Sequence, residues 1–185
     1  MLDSRRLPQI DICRYREIFD FPVLGYYQKL GFDFEAEPFE TLAHLFCDTY
    51  DRRVAECKLQ DGVRTALGHF SEQGGMQSIL SSSEQSALDN AILEFGLDGE
   101  FSKVVGRSDR YAAGKYEAGS VLMAASGIPA NRTVLIGDTL HDHEVAQALG
   151  VDTILVTVGH HSSDKLKTAG SRVVDSLEEA VAYAS

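Results

Sequence analysis

Two patterns of apolar positions divide the chain. Up to about residue 60, apolar side chains recur every three or four positions, the spacing of a helix face. Residues 11–20 carry Ile12, Tyr15 and Phe19 on one side, and the segment behind Pro22, closed by Gly31, carries Val23, Tyr26, Tyr27 and Leu30. Pro38 suits a first helical turn, where its missing N–H leaves no bond unmade. Behind it Phe39, Leu42, Phe46, Tyr50, Val54 and Cys57 make the longest stripe, over residues 38–58.

From Asp61 the pattern alternates between helical stripes and short apolar runs. Val63, Leu67 and Phe70 predict a helix that Gly74-Gly75 ends, and residues 76–81 predict a strand. Ser82 then reads as a helix cap with Gln85 reaching back to it, as in a capping box. That helix has Leu88, Ile92 and Phe95 on its apolar side and Gly96 at its end. A strand over 101–105, a helix over Lys115–Ser126 closed by Gly127, a strand over 133–136, a helix running to Gly150 and a strand over 153–156 follow. Weaker signals mark a strand at Arg172–Val174 and a helix at 177–183. Strands alternating with helices of this length predict an α/β fold with a parallel, Rossmann-like sheet and helices on both faces. The runs Val134-Leu-Ile136 and Ile154-Leu-Val156 suit a sheet covered on both sides. The expected organisation is a helical part, residues 1–60, and an α/β part, residues 61–185.

Composition narrows the function. The 185 residues include 17 Lys and Arg against 28 Asp and Glu, a formal charge of -11. Phosphate backbones and anionic membranes repel such a surface, which disfavours nucleic acid and lipid as general partners. No run approaches the ~18 apolar residues that span a bilayer, and the N-terminus lacks the apolar stretch of a secretory signal. Cys13, Cys47 and Cys57 are odd in number and form no Cys-x-x-Cys pair, so a reduced, cytoplasmic setting is expected.

The sharpest local signal is Thr133-Val-Leu-Ile-Gly-Asp-Thr-Leu-His-Asp142. A buried strand delivers Asp138 to its carboxyl end, where open α/β sheets build their sites. Asp142 follows in the turn that starts a helix. Two carboxylates beside a glycine suit Mg²⁺, which takes one or two carboxylates and fills its shell with water and phosphate oxygens. They suit equally a turn and a helix cap. Ser81 ends the earlier strand, and its hydroxyl with the amides of Ser82 and Ser83 could hold an anion; three serines also make an ordinary loop and cap. Lys115, after Ala112-Ala-Gly114, begins a helix whose positive end repels it. A phosphate or carboxylate partner would remove that objection, and a solvated surface lysine is the alternative. His141, His143, His160 and His161 could join Asp138 and Asp142 in a transition-metal site, although solvated loop histidines are the default. Asp48 and Asp51 read as the wet face of the 38–58 helix.

Ser81, Lys115 and Gly137-Asp138-x-x-x-Asp142, in that order and on those elements, resemble the phosphatase branch of the haloacid-dehalogenase superfamily, its phosphoglycolate-phosphatase-like members. The resemblance implies that Ser81 binds the transferring phosphoryl group and that Lys115 steadies its charge. It implies Asp138 as a Mg²⁺ ligand, with Asp142 supporting the metal directly or through water. It implies a small phosphorylated metabolite as substrate, and it makes residues 1–60 part of a helical cap. The branch's first motif, a strand ending in Asp-x-Asp-Gly-Thr that supplies the nucleophile, is not found: Asp3, Asp11 and Asp20 have no apolar strand before them. The chain as given is therefore expected to be inactive, either because Met1 was assigned downstream of the true start or because the gene is shortened. By the same resemblance, that strand lies between the one ending at Ser81 and the one ending at Asp138. Its neighbours would then face a gap of two strand spacings, ~9.5 Å. Such unpaired edges would favour pairing with another copy of the chain.

Overall fold

The computed structural model describes residues 1–107 and 115–184; the Ala112-Ala-Gly114 stretch singled out above lies outside the described residues. The first third is helical: α1 (Ile12–Ile18), α2 (Val23–Lys29) and α3 (Phe39–Arg53). Asp11 starts α1 by accepting a hydrogen bond from the Arg14 amide. Pro38 occupies the capping position just outside α3, one step earlier than the pattern placed it. Ile18, Phe19, Tyr26, Tyr27, Phe32 and Leu42 form one buried cluster. The far half of α3 extends beyond that cluster, so Phe46 and Tyr50, expected on a buried stripe, stack on each other half-exposed. Asp48 and Asp51 are exposed, as a wet helix face requires.

The rest alternates: α4 (Val63–Glu72), β1 (Ser78–Glu84), α5 (Gln85–Glu94), β2 (Lys103–Arg107), α6 (Lys115–Ser126), β3 (Val134–Gly137), α7 (Leu140–Leu149), β4 (Asp152–Val156), α8 (Ser163–Lys167), β5 (Arg172–Val174) and α9 (Leu177–Ala184). Among the described residues all strand pairs are parallel, and the pairing forms two separate sheets, β1-β2 and β3-β4-β5. Helix α6 packs on β1, β2 and α7 and so bridges the two. Its Gly119 lets it approach closely: a methyl there would press against Leu80 of β1 and Leu149 of α7.

The capping reading of Ser82 fails. Strand β1 runs through Ser82 to Glu84, which pairs with Arg107 after a shift in register. Glu84 occupies the cap and Gln85 opens α5. Instead of reaching back, the Gln85 carboxamide crosses to β2, accepting from the Gly106 amide at 2.7 Å and donating to the Val104 carbonyl at 3.2 Å. The anion reading that placed the Ser82 and Ser83 amides at a helix start loses its geometry with it.

Candidate functional site

The turn between β3 and α7 is built by a reciprocal cap. Thr139 Oγ1 accepts from the Asp142 amide at 3.2 Å, and Asp142 Oδ2 accepts from the Thr139 amide at 3.0 Å and from Thr139 Oγ1 at 2.7 Å. The same oxygen takes the Asp138 amide at 3.1 Å. Gly137 is required just before it, because a methyl there would collide with the Asp142 carboxyl. Lys115, at the head of α6, pairs with the other oxygen, Asp142 Oδ1. The pair is largely dry: Asp142 is 4% exposed and the Lys115 side chain 13%. Burial alone would push the Asp142 carboxyl up. The Lys115 charge and hydrogen bond, with those of Thr139 and the Asp138 amide, outweigh it and hold the group below its ordinary range. Lys115 is therefore no solvated lysine, whereas the cap reading of Asp142 holds, with an ion pair added to it.

Both Asp142 oxygens are thus occupied by donors. That leaves Asp138 as the carboxylate facing open space. Its Oδ2 accepts from the His160 amide at 2.6 Å, its carbonyl accepts from the His161 amide at 3.3 Å, and a methyl at Gly159 would overlap its carboxylate. Asp138 lines a cavity of about 570 Å³ together with Tyr15, Arg16, Gln60, Ile136 and His160. Lys115 lines a second cavity, about 180 Å³, on the other side of Ile136. Ser81 stands apart, on β1. Its hydroxyl accepts from the Ser83 amide at 3.1 Å, and among the described residues no hydrogen bond joins it to Lys115, Asp138 or Asp142. Three of the four expected site residues therefore share one bonded unit, and the fourth sits on the other sheet.

The histidines do not converge. His143 bonds Ser171, His141 lies against Phe21 and Glu144, and His160 bonds Tyr15 and stacks on Phe19 at 4.7 Å. His161 is fully buried and accepts from the Leu140 amide at 3.1 Å, bracing the start of α7. Burial, then the nearby Lys165 charge, holds His161 below its ordinary pKa. No group of three His, Cys, Asp or Glu side chains could hold a metal among the described residues, so the transition-metal reading is withdrawn. What remains, among the described residues, is the Asp138 carboxylate over a cavity. That donor set fits an ion that fills its shell from water and phosphate.

Tyr15, Arg16 and Gln60 were not foreseen here. Tyr15 marked only the apolar side of a helix, and periodicity cannot distinguish a core aromatic from a pocket wall. Burial, then Tyr26 and Asp138 nearby, pushes its phenol well above the ordinary value, so it stays a neutral donor or acceptor. The contact is anchored by Lys165, which donates to the Phe19 carbonyl and pairs with Asp20 at 3.1 Å.

The family model for haloacid dehalogenase-like hydrolase matches residues 3–156. A probable phosphatase, IndB, from Dickeya dadantii is 36% identical over 127 residues, 66% of this chain and 54% of that protein. A phosphoglycolate phosphatase from Caulobacter vibrioides is 30% identical over 149 residues, 78% of this chain and 61% of that protein. The chain thus spans little more than half the length of these curated relatives. The solved structure of protein tyrosine kinase A from Mycobacterium tuberculosis superposes with a TM-score of 0.79 at 22% identity, covering 99% of this chain and 86% of that one; at that identity the likeness concerns the fold. No described helix is long and apolar enough to cross a membrane.

Proposed function

The chain belongs to the haloacid dehalogenase-like hydrolases, and on that premise we propose that its site is the phosphoryl- and Mg²⁺-binding half of a phosphatase for a small phosphate monoester, of the phosphoglycolate-phosphatase kind. The observation that carries the reading is the dry Lys115–Asp142 pair, fastened through the Asp138 amide to the carboxyl end of β3. It fixes a cation, from the head of α6, beside the turn that carries the Asp138 carboxylate. Catalysis of phosphoryl transfer is mostly such positioning and charge neutralisation.

In this reading Asp138 holds Mg²⁺, which when bound would neutralise charge on the phosphoryl oxygens. Lys115 offers its remaining protons to those oxygens. Asp142 does not ligate; it aims Lys115 and stiffens the turn beneath Asp138. Ser81 contributes a hydroxyl from β1. The helices of residues 1–60 form part of a cap, and Tyr15 and Arg16 are the groups it presents to the cavity. Lys115 and Asp138 suit phosphate and Mg²⁺ better than a metal-free carbon centre, so dehalogenation is disfavoured.

Turnover by an aspartyl-phosphate route needs a nucleophilic Asp, and these 185 residues hold no Asp-x-Asp-Gly-Thr. This polypeptide accordingly binds and does not turn over. The purified chain should release no phosphate from phosphoglycolate or p-nitrophenyl phosphate with Mg²⁺, yet bind inorganic phosphate saturably in equilibrium dialysis. Steady turnover would overturn the assignment of the missing role; absence of phosphate binding would overturn the site. A second reading, a non-catalytic module that binds phosphate or metal or pairs with another copy through its strand edges, has the divided sheet in its favour. A monomer by light scattering would count against the pairing of copies.

A further inference from the structure

The carboxylate assigned to the cation is held by the loop that follows β4. The His160 amide donates to Asp138 Oδ2 at 2.6 Å, and the His161 amide donates to the Asp138 carbonyl at 3.3 Å. Gly159 lies so close that a methyl on it would overlap the carboxylate. The orientation of Asp138 therefore follows the path of residues 159–161, and that path is fixed from two sides. On the α/β side the Leu140 amide donates to the buried His161 ring at 3.1 Å. On the other side α1 and the residues just after it grip the loop. The Ser162 amide donates to the Arg16 carbonyl at 3.2 Å, and Lys165 donates to the Phe19 carbonyl and pairs with Asp20.

His160 belongs to both sets of contacts. Its amide holds Asp138, while its ring bonds the Tyr15 hydroxyl through Nδ1 at 2.5 Å and stacks on Phe19. A hydroxyl can donate or accept, so the Tyr15 bond stands with either tautomer of the ring. The Tyr15 ring is itself locked, tilted against Phe19 at 5.2 Å and edge-on to Tyr26 at 5.8 Å. Phe19 and Tyr26 belong to the buried helical cluster. A continuous path of contacts thus runs from the helical core through Tyr15 and His160 to Asp138. Groups that orient a ligating carboxylate contribute to ion affinity, about tenfold or more when removed.

We propose that Tyr15 is a positioning residue for the cation site: through the His160 ring it fixes the His160 amide, and through that amide the Asp138 carboxylate. The helical region then does more than present groups to the cavity; it sets the geometry of a ligand carried by the α/β region. Without the hydroxyl, the His160 ring still rests on Phe19 but loses its tether, and the amide and carboxylate lose a constraint with it. The coupling is reciprocal, so a cation that orders Asp138 tightens the Tyr15–His160 contact as well. The inference rests on Asp138 being the cation's carboxylate, and the test keeps the two claims apart.

The test uses the full chain, with Mg²⁺ titrated calorimetrically in saturating inorganic phosphate and the His160 backbone amide followed by proton–nitrogen NMR. Tyr15→Phe keeps the ring contacts and removes only the hydroxyl. It should lower Mg²⁺ affinity about tenfold and move the His160 amide proton upfield, as its bond to the carboxylate lengthens. His160→Leu should lower the affinity as much, and adding Tyr15→Phe to it should cost nothing further. His160→Asn, which keeps a polar atom near the place of Nδ1, should recover most of the loss. Unchanged affinity in Tyr15→Phe, or an amide that does not move, would overturn the proposal; a fall in melting temperature with affinity intact is what a merely structural contact predicts. Losses that add in the double variant, or a His160→Asn no better than His160→Leu, would overturn it too. A wild-type chain that binds no Mg²⁺ would overturn the reading of Asp138 first, and this proposal with it.

Discussion

The two sheets of this molecule have the same parallel pairing and very different substance. In β3-β4-β5 the central strand buries Ile154, Leu155 and Val156, and the turn leaving β3 is locked by a capping box and a dry ion pair. In β1-β2 no strand residue is fully buried, the register slips between Leu80 and Glu84, and in the serine run the Ser81 hydroxyl accepts from the Ser83 amide. A parallel strand becomes rigid when it has neighbours on both sides and helices on both faces. Strand β4 has all of these. Among the described residues, strand β1 has one neighbour. The site inherits the contrast: its lysine and two carboxylates are set in place, whereas Ser81, the residue expected to meet the phosphoryl group, hangs on the softer sheet.

The contrast can be broken most forcefully at the ion pair. Lys115→Ala strands a buried carboxylate, and unfolding in urea should show a loss of roughly 3–5 kcal/mol. A loss below 1 kcal/mol would mean that the pair is wet. Next come matched truncations of the two sheets. Leu155→Ala should cost about 2–5 kcal/mol, and Leu80→Ala, removing a half-buried side chain beside an open edge, about 1 kcal/mol. Equal losses from thermal melts would erase the distinction drawn here. Thr139→Ala removes the cap and one hydrogen bond to the Asp142 carboxylate and should cost about 1 kcal/mol, with helical content preserved by circular dichroism.

The smallest effect is on pH dependence. His161 is held below its ordinary value near 6.5 by burial and then by Lys165. Above that value both folded and unfolded chains carry it neutral, so it contributes no slope. As pH falls below 6.5, the unfolded chain takes up the proton first and stability declines toward the lower folded value. His161→Gln should flatten the decline in stability as pH falls below about 6.5. A variant with the wild-type slope would place the titration elsewhere.

Much of this was readable in the amino acids, and the exceptions are instructive. Helix α6 and strand β5 fall where periodicity put them, because glycine and charge punctuate both ends. The Gly137-Asp138-x-x-x-Asp142 turn was legible since a glycine, two carboxylates and a preceding apolar run admit few geometries. Ser81 to Ser83 misled: serine has weak strand preference, and the pairing of Glu84 with Arg107, a tertiary effect, extends β1 through them. Helix α8, five residues long, is too short to show a period. The division of labour between the two carboxylates, one saturated by donors and one facing the cavity, depends on contacts with Lys115 and His160 that no spacing rule encodes.

The central claim is that Asp138, among the described residues, offers the cation its carboxylate, on a turn that Asp142 and Lys115 stiffen. Titrating Mg²⁺ into the chain in saturating inorganic phosphate, by isothermal calorimetry, tests it directly. Binding should be clear in the wild type and reduced at least tenfold in Asp138→Asn, whose melting temperature should stay within a few degrees of the wild type. Unchanged Mg²⁺ affinity in that variant would contradict the claim.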